Sequence, residues 1–142
     1  MTILQSGAGM LANRLPKVIG PGTHAIIDYV VAGTFFTMGA LFWNRNKRAA
    51  VSSLVCGAAT AISSMVTDYP GGVWKSMSYR SHGKIDAGLA GLTAMMPNLM
   101  GFNDDTEARF FQMQGIAEAA VTGMTDFDTL DRAGQYRWEQ AA

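Results

Sequence analysis

The chain has little charge and only one cysteine, and both shortages narrow what it can be. Charged residues make up 15% of its 142 positions, where a water-soluble helical domain normally carries about a quarter. The single cysteine, Cys56, lies in an apolar run and has no internal partner for a disulfide, so its simplest role is as a small packing residue. Eleven basic residues balance eleven acidic ones, which leaves no field to attract nucleic acid. No Gly-rich phosphate loop, nucleophile elbow or paired-cysteine metal motif is present, so soluble enzyme chemistry has nothing to stand on and no catalytic residue is assigned. The first twenty residues lack the basic start and unbroken apolar core of a cleaved signal peptide. Leu4, Met10, Leu11, Leu15 and Ile19, punctuated by Arg14 and Lys17, instead suit a short helix lying on a membrane surface.

Apolar residues are abundant, at 49%, together with 16 glycines and 10 methionines. They gather into four segments, 24–43, 49–67, 81–102 and 109–126, each near the length of about 20 residues that a helix needs to cross a bilayer. The first is uncharged except for Asp28 and has Thr23 as its expected N-cap; the second carries no charge. The third has Lys84 and Asp86 in its first turns. The fourth has Glu118 in its middle, where an isolated charge costs roughly 2.5–3.5 kcal/mol, so that residue must face other helices. Glycine and alanine within these segments would weaken helices in water, but in lipid they let helices approach closely.

A constant offset runs through the chain. His24, Ile27, Asp28 and Gly33 recur as His82, Ile85, Asp86 and Gly91, always 58 residues on. Gly57, Ala59, Ala61, Thr67 and Asp68 recur at the same offset as Gly115, Ala117, Ala119, Thr125 and Asp126, with Tyr69 opposite Phe127. Such a pattern implies a duplication. The expected fold is therefore all-α, a four-helix transmembrane bundle of two tandem, parallel two-helix repeats. Repeat 1 covers about 23–69 and repeat 2 about 81–127, with a polar tail at 128–142. Units with an even number of spans enter a membrane in the same direction, which gives a pseudo-twofold axis along its normal rather than an inverted repeat. Basic residues on the side of the termini outnumber those opposite, which places both termini in the cytoplasm.

The stretch Met96, Pro97, Asn98, Leu99, Met100, Gly101, Phe102, followed by a polar turn and another Gly- and Ala-rich helix, resembles the SPW-repeat membrane proteins. That family is built on a two-helix membrane repeat named for a Ser-Pro-Trp triplet, and its members have no firmly assigned activity. Here Met96 and Asn98 stand where the Ser and Trp would, and the first half has Gly39 in place of Pro97. The resemblance implies an architecture and no reaction.

His24 and Asp28, like His82 and Asp86, are four residues apart and share a helix face. Hairpin geometry returns Asp68 and Asp126 to the same level, so two histidines and four aspartates are expected at one depth. Such a cluster serves as a polar clasp between helices, as a site for a divalent metal such as zinc, iron or manganese, or as a path for protons or ions. Haem ligation by the two histidines is a lesser option. The loop 68–81, with Trp74, Tyr79 and Arg80, reads as an interfacial connector. The functional expectation is an integral, multi-pass membrane protein without its own catalysis, an accessory or structural component in contact with lipid that self-associates or joins a membrane partner. A metal- or ion-handling protein is the alternative, and a soluble helical bundle the third reading.

Overall fold

The computed structural model describes residues 15–134, and these are all-helical, with no strand among them. Four long helices follow one another: α1 (Pro21–Phe42), α2 (Lys47–Val66), α3 (Tyr79–Met100) and α4 (Ala108–Met124), with a short helical segment at 129–134. Each starts a little before the segment predicted from sequence, because the capping signals lie further upstream. Gly20, not Thr23, is the N-cap of α1, with Pro21 occupying the first position, where its missing N–H is no loss. Asn46 caps α2 by accepting from the Ala49 amide, and Ser78 caps α3 by accepting from Ser81. Gly101 ends α3 with φ of 71°, a left-handed C-cap that glycine adopts freely.

Helices α1 and α2 form one antiparallel hairpin and α3 and α4 another, and α2 packs on α3. Gly57 and Gly115 make these approaches possible. A Cβ on Gly115 would stand 2.8 Å from the Ala90 carbonyl oxygen, and one on Gly57 would stand 3.0 Å from Phe35 Cβ. The two ends of the assembly differ in chemistry. At one end Phe35, Phe42, Met96, Phe102 and Phe111 form an apolar core, with edge-on ring contacts such as Phe102–Phe111 at 5.3 Å. Beyond it the two hairpin turns are tied together, Asn46 donating to Asp105 at 2.8 Å and Arg48 to the Gly101 carbonyl at 2.8 Å. At the other end Ala25, Tyr69 and Tyr79 pack beneath Phe127 and Leu130, around polar side chains.

On α2 the side chains are sorted by size and polarity. In α2 the buried residues are mostly small or polar, including Ser52, Ser53, Thr60, Ser63 and Ser64. Aliphatic side chains point outward on the same helix, with Val55 50% and Ile62 60% exposed. Outward-facing Ile26 and Val30 on α1, Leu92 and Leu99 on α3, and Met113 and Ile116 on α4 extend this apolar surface. Helices α1 and α2 are long and apolar enough to cross a membrane. By the same measure α3 and α4 are not: α3 opens with Arg80, Lys84 and Asp86, and α4 has 17 residues.

The N-terminal segment departs from expectation. Residues 16–20 are extended instead of helical, because the Val18 and Ile19 amides both bond the Met124 carbonyl and Ile19 bridges Thr125. The rest of the surface helix expected there, and Tyr136 and Trp138 of the tail, lie outside the described residues. Of the residues expected to form an interfacial connector at 68–81, Trp74 is exposed, whereas Tyr79 is buried at the start of α3, lying nearly parallel to the His82 ring at 6.2 Å.

A candidate His2Asp2 metal centre

Each histidine takes the same place in its helix. The His24 amide bonds the Gly20 carbonyl, and the His82 amide bonds the Ser78 carbonyl, so each ring leaves the first turn after its cap. Asp28 and Asp86 follow one turn later on the same face. Both histidines are 1% exposed, and their rings meet between the hairpins with Nε2 atoms 3.3 Å apart.

The two carboxylates close around this contact. His24 Nε2 lies 2.8 Å from Asp86 Oδ2 and 3.3 Å from Asp28 Oδ1. His82 Nε2 lies 3.0 Å from Asp28 Oδ2 and 3.1 Å from Asp86 Oδ2. One donor atom from each of the four residues falls within 4.8 Å of all the others. Four ligands at about 2.0–2.1 Å from a tetrahedral zinc ion stand about 3.3–3.4 Å from each other. The histidine–carboxylate and histidine–histidine separations, 2.8–3.3 Å, lie at or just below that spacing, and the four-atom set as a whole lies within 4.8 Å.

The far side of each ring fixes which nitrogen faces the cluster. His24 Nδ1 is 2.8 Å from Thr125 Oγ1, and His82 Nδ1 is 2.9 Å from Thr67 Oγ1 and 3.0 Å from Ser63 Oγ. Both threonine hydroxyls donate their only proton to the carbonyl four residues back, Val121 for Thr125 and Ser63 for Thr67, each at 2.7 Å. Each threonine oxygen can therefore accept from its histidine, which makes Nδ1 a donor and turns Nε2 toward the two carboxylates. Each of the four residues thus offers one ligand atom to a common point.

The two carboxylates are held unequally. Asp28 Oδ2 also accepts from Ser64 at 3.1 Å and Tyr69 at 2.8 Å. Burial pushes the Tyr69 hydroxyl well above its usual range, which keeps it a donor. Asp86 has no such support, because Phe127 stands at the position corresponding to Tyr69. The Phe127 ring instead meets His24 edge-on at 5.2 Å and packs tightly over Gly83, where a Cβ would approach it to 2.8 Å.

Of the six ionisable residues expected to converge, the structure brings together His24, Asp28, His82 and Asp86. Asp68 and Asp126 stand outside the cluster, a correction with a simple geometric cause. Helices α2 and α4 end at Thr67 and Thr125, whose extended backbone turns the next side chain outward. Asp68 is exposed and pairs with Lys75 at 3.8 Å; Asp126 pairs with Arg132 and accepts from the Asp128 amide at 3.1 Å. The threonines one residue earlier point inward in their place. Their recurrence at the same offset was the available signal, but a hydroxyl carries no charge to draw attention. Bis-histidine haem ligation does not fit, since Nε2 atoms 3.3 Å apart with carboxylates beside them leave no room for a porphyrin plane.

No family model, curated protein or solved structure matches this chain. The reading of its function therefore rests on the geometry.

Proposed function

We propose that the chain is a multi-pass membrane protein of two tandem two-helix repeats that holds one divalent transition-metal ion between them, with His24, Asp28, His82 and Asp86 as ligands. The observation that carries this reading is the pair of inward Nε2 atoms, oriented from behind by the Thr67 and Thr125 hydroxyls, facing the Asp28 and Asp86 carboxylates within one cluster. Without an ion, protons would have to hold these groups together. Two imidazolium rings with Nε2 atoms 3.3 Å apart would oppose each other, whereas a dication neutralises both carboxylates and takes one lone pair from each of the four residues. Imidazole and carboxylate suit zinc, iron or manganese, and four-coordination favours zinc. The ion joins the two hairpins at one end as the aromatic core joins them at the other, which accords with an accessory or structural role without catalysis.

The membrane part of the proposal is supported by the inverted side-chain pattern. Small hydroxyl residues between helices and aliphatic residues outside match packing in lipid, where close approach and internal hydrogen bonds take over from the hydrophobic effect. The four-helix transmembrane bundle, its parallel repeats, its cytoplasmic termini and the SPW-repeat likeness of 96–102 all belong to this proposal. A soluble bundle would leave Ile62, Val55, Met113 and Ile116 facing water.

Elemental analysis of detergent-purified protein tests the centre. About one equivalent of zinc, iron or manganese per chain is expected, retained in Asp68→Asn and Asp126→Asn variants. Protein grown in metal-replete medium that carries only trace metal, and takes up none on titration, would defeat the proposal. The supporting hydroxyls give a second expectation. Thr125→Val, and Thr67→Val combined with Ser63→Ala, each leave a ring N–H without its acceptor and should weaken metal affinity by about 10- to 100-fold, read by competition with a chromogenic chelator. Unchanged affinity in both would mean that the threonines orient nothing.

A further inference from the structure

The offset that relates the two hairpins predicts equivalent packing of α2 on α3 and of α4 on α1, but only the first interface is closed. Between α1 and α4 lies a cavity of about 240 Å³. The residue pairs at this offset explain the difference. Where α2 has Cys56, Thr60 and Ser63, α4 has the larger Gln114, Glu118 and Val121. Where α3 has Gly88, α1 has Val30. Bulkier residues hold this side open. A water occupies about 30 Å³ of liquid, so the space suits the ring of an organic molecule better than an isolated water.

The cavity has apolar walls, including Val31, Leu89 and Val121, and polar groups at two depths. At one depth are Asp28, Asp86 and His24. At the other is Glu118, whose Oε2 accepts from Thr93 at 3.3 Å while its Oε1 is buried without a hydrogen-bond partner. Among the described residues no lysine or arginine lines this space. A buried carboxyl oxygen left unpartnered is costly, and a hydroxyl group would satisfy it. Glu118 is seven residues before Thr125, which bonds His24, so it lies about 10 Å deeper along the helix axis; Asp28 is about 6 Å deeper than His24 in the same direction. Glu118 and Asp28 are thus offset by only about 4 Å along the axis, so a ring lying across the cavity between α1 and α4 can direct one oxygen toward each.

The geometry points to the α1/α4 cavity as a binding site for a lipid-soluble dihydroxylated aromatic ring, of the hydroquinone class, with one hydroxyl donating to Glu118 and the other directed to the Asp28–Asp86 end. The open side between two outward apolar helix faces lets an alkyl substituent run into lipid. The inference uses the membrane part of the proposed function and does not require the metal.

The test is equilibrium partitioning of a decyl-substituted hydroquinone, kept reduced, between empty lipid nanodiscs and nanodiscs carrying the full chain, with decylbenzene as the hydroxyl-free control. Saturable excess binding of one hydroquinone per chain, with none for decylbenzene, is expected. Glu118→Leu should weaken it at least about tenfold, Glu118→Gln should hold it within about threefold, and Ala117→Trp should block it by filling the cavity. If hydroquinone shows no excess over empty discs, or decylbenzene saturates equally, the inference is overturned. Wild-type affinity in a folded Ala117→Trp variant overturns it as well. Should Glu118→Leu fail to fold, the two ligands on the wild-type chain still decide. Metal content is measured on the same samples, so loss of the metal reading and loss of the ligand reading appear as separate outcomes.

Discussion

Replacing both His24 and His82 by alanine should remove the bound metal entirely and destabilise the chain more than any other pair of substitutions at this end. The variant keeps Asp28 and Asp86 buried while deleting the groups that compensate them. Breaking a buried charged pair by removing one partner costs about 3–5 kcal/mol, and the binding energy of the ion is lost in addition. The expected result is metal-free protein with a markedly lower thermal midpoint, unresponsive to added zinc. The companion variant with Asp28→Asn and Asp86→Asn as well removes the stranded charge and should recover part of the stability but none of the metal. If the double alanine variant melts like the wild type, the four side chains neither hold an ion nor clasp the hairpins.

The second large effect concerns location. Val55 sits in the middle of α2 and is 50% exposed, away from the cavity and the metal centre. On the surface of a soluble protein, Val55→Arg would change stability by no more than about 0.5 kcal/mol. At the centre of a membrane span the same change costs roughly 2.5–3.5 kcal/mol, on the order of a hundredfold in the ratio of inserted to uninserted chain. Sedimentation and carbonate extraction of expressed protein should show the wild type in the membrane pellet and the variant largely lost from it. Wild-type protein in the supernatant without detergent would return the chain to the soluble reading, and α2 to a core helix of a small bundle.

These two expectations concern different features of one design. The outward aliphatic side chains are what lipid would cover, while four ionisable groups near the starts of α1 and α3 gather at one point. A charge in a span is tolerated when it faces the protein interior and is paired, and His24, Asp28, His82 and Asp86 meet that condition together. Glu118 meets it in part, with Thr93 donating to one oxygen, while its second oxygen, buried without a hydrogen-bond partner, marks the site proposed for a ligand hydroxyl.

Much of this was legible in the chain. The four helices follow from the apolar runs, because hydrophobicity acts locally and leaves a linear trace, whereas the caps at Gly20, Asn46 and Ser78 lie upstream of the starts read from sequence. The i, i+4 spacing of each His–Asp pair placed both groups on one helix face, and the 58-residue offset indicated that the two faces are equivalent. Sequence could not distinguish Asp68 and Asp126, which turn outward, from Thr67 and Thr125, which turn inward, since that choice depends on the backbone direction after the last helical turn. Nor could it show that Asp28 is held by Ser64 and Tyr69 while Asp86 is not, or that the α1/α4 side stays open, because both arise where separate helices meet. Composition and spacing determine which side chains are available at a given depth; only packing in three dimensions decides which of them touch, since contact energies fall away within a few ångströms and the chain does not record those distances.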